Sequence, residues 1–160
     1  MRIDAHQHYW SPAHGDYGWL VPSPALAPIC RDFGPQDLHP LLDAAAIAAT
    51  VLVQAAPAEA ETHRLLAIAS APASRVLGVV GWADLESPEA PVRIAQLAEK
   101  PLLKGLRPML HDLDDPAWIN RPELAPAWRA MQAADLVLDL LIRPAPVSYT
   151  HLTLPTIYSV

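Results

Sequence analysis

The sequence predicts an α/β fold built on a parallel sheet. Short, β-branched apolar runs alternate with stretches of three-to-four periodicity, the pattern of successive right-handed βαβ units. The strand runs, such as TVLVQA (Thr50–Ala55), are apolar on both faces, as buried parallel strands are. Several of the 18 prolines, among them Pro35, Pro72, Pro88, Pro101 and Pro122, fall between these elements, where a missing amide donor does least harm.

The elements follow in order. Residues 2–8 (RIDAHQH) read as an extended first strand, and the aromatic, Gly/Pro-rich stretch Tyr9–Pro28 as a long irregular loop. GPQDLHPLLDAAAI is helical, with Leu38, Leu41, Leu42 and Ala45 on one face. After the TVLVQA strand, AEAETHRLLAIASA forms a helix that ends before Pro72. RVLGVVGWADL is the third strand, and SPEAPVRIAQLAEK a helix with Ser87 as N-cap and Pro88 as first helical residue. Leu102–Leu110 is the fourth strand, with Gly105 an awkward residue inside it. NRPELAPAWRAMQAAD is a helix, and Leu136–Arg143 the fifth strand.

Two closures fit this order: an open doubly wound sheet, or part of a (β/α)₈ barrel. No Gly-x-Gly-x-x-Gly follows the first strand, which counts against a dinucleotide-binding sheet. Barrel active sites lie at the C-terminal ends of strands. His6, His8, Gln54, Trp82, Arg107 and Asp139 all fall late in, or inside, the strand runs. That coherence favours the barrel.

Composition narrows the function. The chain has 160 residues, a net charge of −6 and no basic block, so nucleic acid is not an expected partner. No apolar run approaches a membrane span, and the N-terminus lacks a signal pattern. The single cysteine, Cys30, allows no internal disulfide, reads as structural and fits a reducing compartment, so the cytoplasm is the expected location. The expected partner is a small molecule; the oligomeric state is not legible.

His6 and His8 carry the chemistry. On a strand, residues i and i+2 project from one face, so both imidazoles can lean onto one ion. Arg107, near the end of the fourth strand, offers a fork of donors that can polarise a carbonyl or hold a carboxylate. Trp10 and Trp19 can wall a pocket, and His111 lies in a loop with Asp112, Asp114 and Asp115. Asp4 is expected to fix a backbone turn, and His14, His39 and His63 to lie at the surface.

IDAHQHYW, LVQAAPAEAET, GVVGWADLESP, KGLRPMLHDLDDPAWI and LVLDLLIRP together resemble the amidohydrolase-related lactonases, the group of fuconolactonase-like and sulfomuconolactone hydrolases. The resemblance runs to about Pro144 and implies a partial TIM (β/α)₈ barrel, about the first five βα units. It implies a hydrolase that opens sugar-acid or muconate-type lactones, often with a divalent metal, zinc first, that some members dispense with. In the wider superfamily the first-strand His-x-His ligates metal, a role that carries onto His6 and His8. Arg107 is then the catalytic candidate, and Trp10, Gln54, Trp82 and His111 the substrate-binding ones. A decarboxylase of the same superfamily is the alternative chemistry. The later metal-ligating histidines and the aspartate that activates water have no counterpart here, so the literal chain is expected to be inactive.

The last segment breaks with the rest. Residues 1–146 read as the N-terminal part of the barrel, whereas VSYTHLTLPTIYSV (147–160) is Thr-rich, lacks alanine and does not continue the family pattern. Val147–Thr156 can be encoded codon by codon by the transposase adaptor of sequencing-library construction, so residues 147–160 are expected to be a non-native tail.

Overall fold

The computed structural model describes residues 1–141. The fifth strand, expected over Leu136–Arg143, spans only Val137–Leu138 among the described residues, while residues 142–143 and the expected tail, 147–160, lie outside them. Five strands form one parallel sheet: β1 (Ile3–Gln7), β2 (Ala49–Val53), β3 (Val76–Gly81), β4 (Leu103–Leu106) and β5 (Val137–Leu138). Four helices connect them: α1 (Pro35–Ala44), α2 (Glu59–Ala69), α3 (Ala90–Ala98) and α4 (Ala125–Ala133). The spatial order is β1-β2-β3-β4-β5. A doubly wound sheet reverses its strand order at a switch point. This sheet does not reverse, and the architecture is a half-barrel.

The main core lies between strands and helices. Leu52, Val79, Leu103 and Leu106 of the sheet pack with Leu65 and Leu66 of α2, Ile94 and Leu97 of α3, and Met131 of α4. Each fully buried aliphatic side chain contributes about 1.5–3 kcal/mol. A second cluster joins Tyr17 and Leu20 of the long first loop to Ala55 and Ala56 after β2, with Trp10, Ile29 and Cys30 against it. That loop is therefore ordered by packing, and a two-way backbone bridge between Trp10 and Phe33 (3.1 and 2.9 Å) closes its base. Cys30 is a free thiol packed on this cluster, as expected of a structural residue.

Several boundaries differ from the periodicity. Leu102–Leu110 was expected to be one strand, but β4 ends at Leu106, because Pro108 has no amide to continue the ladder. Ser87 does not cap α3; its hydroxyl accepts the Glu89 amide (3.2 Å) in a preceding turn, and the helix begins at Ala90. The expected helix over residues 120–135 is divided: Pro122 opens a separate 3₁₀ turn, Pro122–Leu124, and α4 starts only at Ala125. In each case proline sets the boundary.

Gly105 belongs in its strand for a reason the pattern does not reveal. A Cβ there would lie 2.4 Å from the backbone oxygen of Val137, so the missing side chain is what lets β5 approach β4. Gly105→Ala should destabilise the chain by about 1–3 kcal/mol through overpacking. The amide of Asp139, bonded to the Leu106 oxygen at 3.0 Å, should lose exchange protection before the amides of β2. Denaturant unfolding and hydrogen exchange check this; unchanged protection at Asp139 would contradict it.

Candidate active site

The site grows from alternation along β1. Gln7 turns into the protein and donates from Nε2 to Thr50 Oγ1 (3.2 Å), which leaves His6 and His8 for the opposite face. The β1–β2 register shifts between Asp4 and Gln7, and there Asp4 Oδ1 accepts the His6 amide (3.1 Å). Asp4 thus fixes the backbone, as expected. The two rings meet edge to face, with centroids 4.8 Å apart, and the Nε2 atoms lie 3.1 Å from each other.

Hydrogen-bond logic assigns the protons. His8 Nδ1 lies 2.8 Å from the Val53 carbonyl, which can only accept, so Nδ1 carries the hydrogen. Burial pushes the His8 pKa below its ordinary value, assisted by the Arg107 charge and opposed by the Val53 bond. A neutral ring with its hydrogen on Nδ1 presents a lone pair at Nε2. Arg107 Nη1 lies 3.2 Å from His6 Nε2, and a guanidinium only donates, so His6 also presents a lone pair. Two lone pairs thus face each other with no hydrogen between them. Two imidazole nitrogens on one tetrahedral zinc sit about 3.3–3.4 Å apart, close to the observed separation. The pair fits a divalent cation as two ligands. Among the described residues no group of three or more His, Cys, Asp or Glu side chains completes a site.

Arg107 follows β4 directly and is buried, at 4% exposure. Its Nη2 donates to the Gln54 carbonyl, its amide to the Gly81 carbonyl (2.8 Å), and its own carbonyl accepts Gln54 Nε2 (2.8 Å). Burial lowers its pKa from the ordinary value, while the Asp139 and Glu61 carboxylates pull it back up. Its Nε is buried without a partner among the described residues, a donor held in reserve beside the histidines.

The other expected residues take distinct places. Gln54 is fully buried and spends its amide on the Arg107 carbonyl and on Met109 Sδ (3.2 Å). Trp10 donates to the Ile29 carbonyl (3.1 Å), stacks against Trp19 and Phe33, and walls a cavity of about 360 Å³. Trp82 lines a separate cavity of about 190 Å³ with Pro57, Asp84, Met109 and Trp118. His111 lies in the turn Leu110–Asp112, its Nε2 3.1 Å from Asp112 Oδ1, outside the network that joins His6, His8, Arg107 and Gln54. His63 is exposed on α2, as expected.

Of two further groups, Asp139 belonged to the strand-end set the sequence suggested but carried no assigned role, and Glu61 was not singled out at all. Asp139 follows β5, and its charge acts on both His8 and Arg107. Glu61 is fully buried after β2. Its only signal was its place in PAEAET, where an acid in a first helical turn looks like an ordinary dipole partner.

A neutral histidine pair beside a buried guanidinium lies at the strand ends of a half-barrel. The amidohydrolase family model matches residues 3–155, and the chain belongs to that family. The match enters the segment expected to be non-native. The chain is 51% identical over 144 residues to the L-fucono-1,5-lactonase of Burkholderia ambifaria, covering 90% of this chain and 49% of that protein. It is 37% identical over 143 residues to the L-fucono-1,5-lactonase of Burkholderia multivorans, covering 89% and 47%. A crystal structure of a Burkholderia multivorans amidohydrolase with bound Zn superposes with a TM-score of 0.79 at 37% identity, over 89% of this chain and 49% of that one. The chain spans about half the length of these relatives.

The tautomer assignment has a direct check. Imidazole ¹⁵N spectra should show His8 with its hydrogen on Nδ1 at neutral pH and a protonation midpoint below 6.5. Because the folded value lies below the unfolded one, the stability this ring contributes is complete above the unfolded value. It is lost as pH falls through the lowered one. A midpoint above 6.5 would contradict the assignment.

Proposed function

We propose that the complete enzyme carrying these residues opens a sugar-acid lactone, with L-fucono-1,5-lactone the first substrate to test. The observation that carries the reading is the buried Arg107 guanidinium held 3.2 Å from His6. Donors fixed before reaction, in a site screened from water, stabilise a developing oxyanion far better than mobile ones do. Arg107 is the residue that binds the lactone carbonyl oxygen as it gains charge. His6 and His8 are the two ligands this chain offers to a divalent metal, zinc first, which when bound supplies Lewis-acid polarisation and acidifies a water. Gln54 holds Arg107, while Trp10 and Trp82, which line separate cavities, are the candidate apolar contacts for the substrate. The base that takes the proton from water belongs to the half of the relatives that this chain does not span. The setting is the cytoplasm, in keeping with the free Cys30. No helix among the described residues is long and apolar enough to cross a membrane.

The test joins residues 1–144 to the remaining half of the Burkholderia ambifaria lactonase. The completed enzyme is assayed on aldonolactones, muconate-type lactones and aromatic carboxylic acids. Lactone hydrolysis is the expected result; decarboxylation without it would transfer the site to the lyase chemistry. His6→Ala or His8→Ala should lower zinc content and hydrolysis together. Arg107→Met should cost roughly 10²–10³-fold in kcat, the loss seen when one oxyanion donor is removed. Full activity of both histidine variants in chelator would remove the metal from the reading and leave Arg107 as the electrophile. Full activity of Arg107→Met would sink it.

A further inference from the structure

The first turn of α2 ties together the ends of three strands. Glu61 Oε2 accepts the amides of Ala55 (3.0 Å) and Ala56 (2.8 Å), which fixes the turn leaving β2. The residue before that turn is Gln54, whose carbonyl accepts Arg107 Nη2 and whose amide returns to the Arg107 carbonyl. The same turn offers the Ala55 carbonyl to the Trp19 indole (2.8 Å), so it also anchors the first loop. The next residue on α2, Thr62, takes the Trp82 amide (2.7 Å) and donates to the Trp82 carbonyl (2.8 Å). Gly81 permits that approach, since a Cβ there would lie 2.5 Å from Thr62 Cγ2, and its carbonyl receives the Arg107 amide. Both the main chain and the guanidinium of Arg107 therefore rest on one frame.

Glu61 is an expensive anchor for that frame. It is 0% exposed, and burial pushes its carboxyl above the ordinary value despite two amide donors. Its Oε1 has no partner among the described residues. A carboxylate left partly unsatisfied in the interior is destabilising. Closing the turn needs an acceptor for two amides, which a neutral carboxamide oxygen could also supply. Tyr17 and the Arg64 charge also act on the carboxyl, and the Glu61 charge is in turn one of two that offset the burial of Arg107.

We propose that Glu61 is a positioning residue for the lactone-opening site: it locks the β2–α2 turn so that Gln54 aims the Arg107 guanidinium at His6 and at the reacting carbonyl. It acts through Arg107 and does not touch the substrate. The role of Arg107 rests on the proposed function; the geometry of the frame does not.

The experiment has two independent arms. In the completed enzyme, Glu61→Ala should lower kcat about 10²-fold, the scale of a misplacement near 1 Å, and leave KM close to unchanged. Glu61→Gln keeps an acceptor for both amides and should retain most of the activity. Added to Arg107→Met, Glu61→Ala should cost nothing further, since the two losses share one cause. The second arm follows the Arg107 side chain by ¹⁵N NMR in the 160-residue chain and in the completed enzyme. Separate Nη signals, the mark of a locked guanidinium, should persist in Glu61→Gln and merge in Glu61→Ala. If the alanine variant does not fold, Glu61→Asp, one methylene too short, carries the same comparison. This arm needs no lactone turnover, so failure of the lactonase reading leaves it intact. Unaltered Nη signals in Glu61→Ala or Glu61→Asp, or equal losses of kcat in both Arg107 backgrounds, would overturn the proposal.

Discussion

The described structure turns on one buried cation. A guanidinium carries five donors and cannot shed its charge, so taking Arg107 out of water is affordable only if neighbouring strands surround it with acceptors. They do. Gln54 after β2 supplies a carbonyl and His6 on β1 a ring nitrogen to the guanidinium, while Gly81 at the end of β3 accepts the Arg107 main-chain amide. Four strands thereby converge on one residue. Parallel pairing in unbroken sequence order is what makes this convergence possible, because it brings every strand's C-terminal end to the same rim.

Charge balance at that rim is uneven by construction. Two neutral imidazoles and a cation lie together, while the compensating carboxylates of Asp139 and Glu61 stand further back. On the proposed function, the arrangement would set the Arg107 charge beside the carbonyl oxygen as that oxygen gains charge. It also sets the guanidinium and any bound metal in competition for the His6 lone pair.

Much of the fold was legible because its signals are local. TVLVQA and RVLGVVG read as strands from their β-branched apolar runs, and the α2 stretch from its leucine spacing; both follow from burial along a short segment. The boundaries were less legible where prolines crowd, since Pro108, Pro122 and Pro126 each allow a turn or a helix start and only packing decides. The candidate site divided in the same way. His6 and His8 announce themselves by spacing, and Arg107 by its place after a strand. Glu61 does not, because its function lies in two amide bonds across a turn, and an acid near a helix start is commonplace. Gly105 looked like a flaw in a strand for the same reason: the atom it avoids, the Val137 oxygen, lies on another strand.

The contact between His6 and Arg107 spans 101 residues, whereas each strand pairs with its immediate predecessor in the chain. During synthesis the sheet can therefore assemble one crossover at a time, each step closing a loop of modest length. The site cannot. The imidazole pair exists as soon as β1 pairs with β2, but its opposing guanidinium arrives only after β3 and α3 are in place. A cation that reaches the nascent chain in that interval meets two lone pairs and no rival charge. The order of strands along the chain thus also orders the moments at which the imidazole pair is most receptive.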